Sequence, residues 1–170
     1  YKVNFAIESG NQHHLSQNIR KPLNLKKVPP LVDYARKIGM EVGVFLVVGM
    51  PGETEEMVWD SFKFVASMGI YNPHISVATP YPGTELFDMC KEKGYLKEGF
   101  SYNDLYIRSF SISTPDLSSD KLKEVLKNCQ HWLLKEDIKH NPLKYARLLL
   151  SKLVKDPLLA SKKVVKFLKS

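Results

Sequence analysis

The chain has 170 residues, 44% hydrophobic and 25% charged, the balance expected of one globular domain with an ordinary core. Its longest apolar stretches, such as Val42 to Met50, contain glycine and fall short of the roughly 18 to 20 residues that a membrane-spanning helix needs, which excludes a spanning segment. Two cysteines, Cys90 and Cys129, lie 39 positions apart in helical patterns, which excludes a disulfide framework or a cysteine metal knuckle and fits a reducing cytoplasm.

Charge is unevenly placed. Residues 1 to 120 hold 12 Lys and Arg against 14 Asp and Glu, giving −2, whereas residues 121 to 170 hold 13 against 4, giving +9. The pattern is a near-neutral body with a basic appendage. The first residues lack a starting Met and the layout of a signal peptide, so the sequence reads as a piece of a longer protein.

Val3 to Ile7 has the length and apolarity of a buried strand and stops at Glu8-Ser9-Gly10. A short helix is expected from about Asn11 to Lys21, closed by Pro22. Leu31, Tyr34, Ala35 and Ile38 trace one face of a second helix that ends at Gly39, with Pro29 and Pro30 near its first turn. Glu41 to Val48 is a β-branched run of the kind buried on both faces of a parallel sheet, and it ends at Gly49-Met50-Pro51-Gly52-Glu53-Thr54. A third helix follows to about Met68, with Glu53, Glu55 and Glu56 read as solvated carboxylates at its positive end rather than a general-base cluster. His74 to Thr79 is the third strand, running into Pro80-Tyr81-Pro82-Gly83-Thr84-Glu85 and a helix through Lys93. Alternating strands and helices define an α/β fold with a parallel sheet, because each parallel return needs a crossover. In such sheets ligands sit at the carboxyl ends of the strands, where the unusual residues of this chain collect.

Three segments, F-A-I-E-S-G-N-Q-H-H-L, V-F-L-V-V-G-M-P-G-E-T-E-E-M and I-S-V-A-T-P-Y-P-G-T-E-L, resemble radical S-adenosylmethionine enzymes, in particular the cobalamin-domain-associated and methylthiotransferase-like groups. The resemblance covers about residues 1 to 95 and implies the fourth to sixth strands of a partial (β/α) barrel. It implies that Glu8 and Ser9 touch the ribose and amino acid part of S-adenosylmethionine, and that Arg20 or Lys21 pairs with its carboxylate. It further implies that Val47, Val48 and Gly49 pack on the adenine, and that Pro80, Tyr81 and Pro82 reach the same base. Some relatives carry a ribose-binding carboxylate at the position of Phe45. The C-x3-C-x2-C motif that holds the family's [4Fe-4S] cluster is absent from this sequence. The expected organisation is the C-terminal half of the barrel over 1–117, then a basic helical extension over 118–170.

The histidines, His13, His14, His74, His131 and His140, have no helical metal-site spacing and read as structural or surface residues. No phosphate-binding glycine motif occurs. The aromatics Tyr95, Phe100, Tyr102, Tyr106 and Phe110 either line a substrate opening or pack beneath the barrel, with an extended segment over Asp104 to Phe110. Ser118-Ser119-Asp120 caps a helix to about Lys139, and Asn141-Pro142 and Asp156-Pro157 open two more, about 142 to 154 and 157 to 169.

Two functions of different class follow. One is a fragment of a radical S-adenosylmethionine iron–sulfur enzyme, an oxidoreductase or methyltransferase in type, acting on a small-molecule or lipid-like substrate. It would be incomplete for catalysis alone and joined in the parent to a [4Fe-4S] cluster and an upstream cobalamin domain. The other is a non-catalytic module that binds RNA or a membrane surface through its basic helices. For the tail, packing of its helices on their own domain ranks first, contact with a membrane surface second and RNA third. The first strand, unpaired at its outer edge, is expected to form dimers, and the expected location is cytoplasmic, including the membrane surface.

Overall fold

The computed structural model describes residues 1–105 and 109–155. Three parallel strands, β1 (Lys2–Glu8), β2 (Glu41–Val48) and β3 (His74–Val77), form an open sheet in the order β1-β2-β3. Helices α1 (Gln12–Gln17), α2 (Val28–Lys37) and α3 (Glu55–Ser67) fill the crossovers, and α4 (Glu85–Glu92) follows β3. Then come α5 (Ser119–His140) and α6 (Pro142–Lys155). The chain divides into two compact units, Tyr1–Leu133 and Leu134–Ser170, the division falling inside α5. The helix expected over 157 to 169, and Tyr106 to Arg108 within the extended segment expected from Asp104, lie outside the described residues.

Alternation along the strands decides which face is covered. Ile7, Val44, Leu46, Val48 and Val77 are buried against Leu15, Val32, Val58, Phe62 and Val65 from α1 to α3. The same core takes Leu122, Val125, Leu126, Cys129 and Leu133 from α5, so the first four turns of that helix belong to the sheet's own unit. On the other face Asn4, Ala6, Phe45, His74 and Ser76 are exposed. Phe45 stacks on His74 there with ring centroids 5.0 Å apart. β2 is therefore covered on one face and open on the other, not buried on both faces as its β-branched run suggested.

Local chemistry sets the element ends. α2 starts at Val28, because both prolines fit a first turn that needs no backbone donor, and it buries Val28, Val32 and Ala35, whereas Leu31, Tyr34 and Ile38 of the expected face are exposed. α1 stops at Gln17, short of the expected Lys21: the amides of Asn18 and Ile19 both bond the His14 carbonyl, and Arg20 turns left-handed with φ 58°. Met50-Pro51-Gly52-Glu53 and Tyr81-Pro82-Gly83-Thr84 are the same turn used twice. In each, proline occupies the second position, glycine the third with φ near 80°, and the fourth amide bonds the first carbonyl, at 3.0 and 3.2 Å. Thr54 and Thr84 then cap α3 and α4, accepting from the amides of Met57 and Phe87.

After α4, Tyr95 and Ile112 reach the residues that follow β3. Leu96 and Ile112 form an antiparallel bridge, and Ile112 is buried with Ala78 and Cys90 against Val47, Met50 and Tyr95. Phe100 and Tyr102 gather on Phe87 of α4.

Candidate functional site

The carboxyl ends of β1 and β2 open into a cleft of about 380 Å³ lined by Glu8, Ile19, Arg20, Lys21, Pro22, Val47 and Met50. Glu8 ends β1 just after a bulge in its pairing with β2, with φ 64°. Two of the three non-glycine residues with positive φ among the described residues, Glu8 and Arg20, thus face one cleft, each at a backbone cost of roughly 1–2 kcal/mol. Lys21 Nζ donates to Glu8 Oε1 at 3.0 Å. Arg20 pairs with Glu85 at the start of α4, and the same arginine lines a second, larger cleft of about 710 Å³. That cleft also takes Asn18, Met50, Gly52, Glu85, Met89 and Lys93. Arg20 and Met50, with Ile19, form the wall common to both.

Of the residues expected at the site, Glu8, Arg20, Lys21 and Val47 converge in the smaller cleft. The others do not line it. Val48 points into the covered core. Gly49 holds φ 83° beneath Leu122, where a Cβ would come within 2.7 Å of that side chain. Pro80, Tyr81 and Pro82 form the loop before α4, with Tyr81 exposed. Ser9 is fully buried and tied to α3: its hydroxyl is 3.2 Å from Ser61 Oγ and accepts from the Asn11 amide at 3.1 Å. The Gly10 amide donates to Ser61 Oγ at 2.9 Å, and Asn11 donates its side-chain amide to Asp60 at 2.8 Å while capping α1. The Glu8-Ser9-Gly10-Asn11 motif thus anchors the first loop to α3 and leaves Glu8 facing the cleft.

Glu53 corrects the reading of that residue as a solvated carboxylate. Its side chain is fully buried, because the Pro51-Gly52 turn folds it back over Gly49, whose amide donates to Oε2 at 2.5 Å. Burial raises its carboxyl to about 8, against the opposing pull of the Gly49 and Met50 backbone. Opposite it, His14 is equally buried, and burial, with His13 nearby, lowers the imidazole to about 4. Both groups are neutral near pH 7, so their approach at 3.7 Å is a polar contact and not an ion pair. His14 Nδ1 and Nε2 and Glu53 Oε1 have no hydrogen-bond partner. The second tie between the same two segments is Asn18, which donates to the Pro51 carbonyl at 2.9 Å. α1 and the second loop are therefore locked together directly behind the clefts. His14 is buried, one of the two places expected of histidines without metal-site spacing, but its pairing with Glu53 escaped sequence reasoning. The signal was present in the proline–glycine turn, which returns its fourth residue onto the backbone ahead of it.

The chemistry offered is that of a strand-end binding cleft: a carboxylate, two cations and an apolar floor. Cys90 and Cys129 are both buried, burial raising the thiols, that of Cys129 to about 12. Among the described residues no group of three His, Cys, Asp or Glu is placed to hold a metal.

An open parallel α/β sheet with its cleft at the carboxyl edge defines the class. Cytidylyl-2-hydroxyethylphosphonate methyltransferase of Streptomyces wedmorensis is 35% identical over 123 residues, 69% of this chain and 23% of that protein. An uncharacterised methyltransferase of Pyrococcus horikoshii is 33% identical over 88 residues, 52% of this chain and 19% of that protein. Both relatives are methyltransferases by name, and the matched stretch is under a quarter of their length. No protein-family model matches the chain.

Proposed function

We propose that this chain is part of a radical S-adenosylmethionine methyltransferase and supplies one wall of its cofactor and substrate clefts. The observation that carries the reading is the convergence of Glu8, Arg20 and Lys21 with Val47 and Met50 at the carboxyl edge of a parallel sheet. The similarity to two named methyltransferases supports it.

The donor set suits S-adenosylmethionine. Glu8 accepts from ribose hydroxyls or the ammonium, Arg20 or Lys21 binds the carboxylate, and Val47 and Met50 offer apolar contact to the base. Each charged group is held by a neighbour, Lys21 by Glu8 and Arg20 by Glu85, so cofactor binding exchanges these pairs for ligand contacts. An iron–sulfur cluster does not fit this chain, whose two thiols are buried apart from one another in different core clusters. In the reading proposed, the cluster and any cobalamin are held by residues outside this sequence. When bound to such a cluster, S-adenosylmethionine supplies the radical chemistry; the residues described here bind and orient it. The larger cleft, sharing Arg20, is the place for substrate, and Arg20 and Lys93 there suit an anionic molecule such as the cytidylyl phosphonate named for the Streptomyces relative.

Isothermal titration of the chain with S-adenosylmethionine tests the reading. The expected affinity is weak, about millimolar, and is reduced in Lys21→Ala and Arg20→Ala. Binding that ignores both substitutions, or none at millimolar ligand, would remove the support for this cleft.

A further inference from the structure

α6 carries Lys144, Arg147, Lys152 and Lys155 and no acidic residue. At about 100° per residue, Leu143, Ala146, Leu149 and Leu150 fall within roughly one third of the helix circumference, while Lys144, Arg147 and Ser151 lie beyond it. Leu143, Leu149 and Leu150 are 72%, 43% and 62% exposed, and Leu148, on the cationic side, is 46% exposed. The corner before this helix is built firmly: Asp137 accepts from Asn141 at 2.7 Å, Lys144 at 2.6 Å and Tyr145 at 2.5 Å. From 142 to 170 the sequence holds eight Lys and Arg and one acidic residue, Asp156.

We propose that α6 seats the protein on an anionic lipid surface, its leucines entering the boundary between headgroups and acyl chains and its cations lying over headgroup phosphates. Charge complementarity selects this occupant. A second copy docked through the same stripe would cover the leucines but leave the flanking row of cations without a counter-charge. RNA would neutralise the lysines but leave the leucines in water, and only Tyr145 and Phe167 among residues 142 to 170 could stack on bases. An anionic membrane satisfies both faces at once.

The test is flotation of the full chain with phosphatidylcholine vesicles and with vesicles in which about a third of the lipid is phosphatidylglycerol. The chain is expected to float only with the anionic vesicles and less so as salt rises. Leu149→Ser/Leu150→Ser, at exposed positions where the circular dichroism is expected to stay unchanged, should lower binding by about tenfold or more. Arg147→Glu serves as the second variant and should lower it by at least about fivefold. The proposal is overturned if the chain stays with the lipid-free fraction, or if the leucine variant floats like wild type. It is equally overturned by a gel shift on single-stranded RNA that matches the vesicle affinity and ignores the leucines, or by a dimer in light scattering that the leucine substitutions dissolve.

Discussion

His14 Nε2 lies 3.7 Å from Glu53 Oε1 with both side chains fully buried, and the pair joins α1 to the loop after β2 without carrying charge. Charging either group alone would bury an unpaired charge, and this makes the contact sensitive to pH.

The sign follows from where each proton resides. Unfolded, the two groups titrate near about 4.3 and 6.5; folded, Glu53 titrates at about 8 and His14 at about 4. Between these unfolded values the folded state keeps the carboxyl proton but excludes the imidazole proton, and the two effects nearly cancel. From about pH 6.5 to 8 only the carboxyl differs, the folded state binds more protons, and stability falls with rising pH by about 2 kcal/mol. Glu53→Gln, neutral at every pH, should flatten that slope and resist urea better than wild type above pH 8. Urea midpoints across that window check it; a variant whose slope matches wild type would place the titration elsewhere.

Arg20 combines a left-handed backbone with a charge at the wall of both clefts. Arg20→Gly should relieve the backbone and be more stable than Arg20→Ala by about 1 kcal/mol, while both lose ligand affinity equally. Thermal melts beside titrations with S-adenosylmethionine separate the two roles. Equal melting of the two variants would show that the conformation stores no strain.

Glu85 neutralises Arg20 before any ligand arrives. Glu85→Gln should therefore free the guanidinium and raise affinity for an anionic ligand severalfold, with little effect on stability because the pair is exposed. Reduced affinity would mean that Glu85 positions the arginine and does not compete for it.

Gly52 has φ 80°, and a Cβ there would stand 1.9 Å from the side-chain amide nitrogen of Asn18. Gly52→Ala should cost about 2 kcal/mol or more, from the backbone and from the lost Asn18 contact to Pro51. Asn18→Ala alone should cost about 1 kcal/mol. Denaturant unfolding of both variants and their double mutant should show coupling, since one side chain mediates both effects.

Anaerobic reconstitution with iron and sulfide should yield no stoichiometric absorbance near about 400 nm, because a cluster needs three thiolates and this chain has two buried thiols. β1 is also an edge of the sheet, and sedimentation at rising concentration should show pairing through it.

The strands and the existence of the crossover helices were legible in the sequence, because short apolar runs, proline–glycine turns and threonine caps act within a few residues of one another. Glu41 to Val48 emerges with the expected bounds for that reason. Glu8, Arg20, Lys21 and Val47 line the smaller cleft, the first three because they end a strand or follow the short helix after it, while Ser9, Val48 and Gly49 do not. What the sequence could not decide was burial across segments. Ser9 looks like a rim residue until Ser61, 52 positions later, claims its hydroxyl. Glu53 looks like a helix-end carboxylate until the turn places it against His14. α5 looks like the start of an appendage until Leu122 to Leu133 complete the core over the sheet. Helices, turns and caps are set locally, since their hydrogen bonds close within a few residues, and a strand is marked by its apolar run although its partners lie far along the chain. Which polar group loses its water depends on chain segments far apart in sequence, and only the packed structure brings those together.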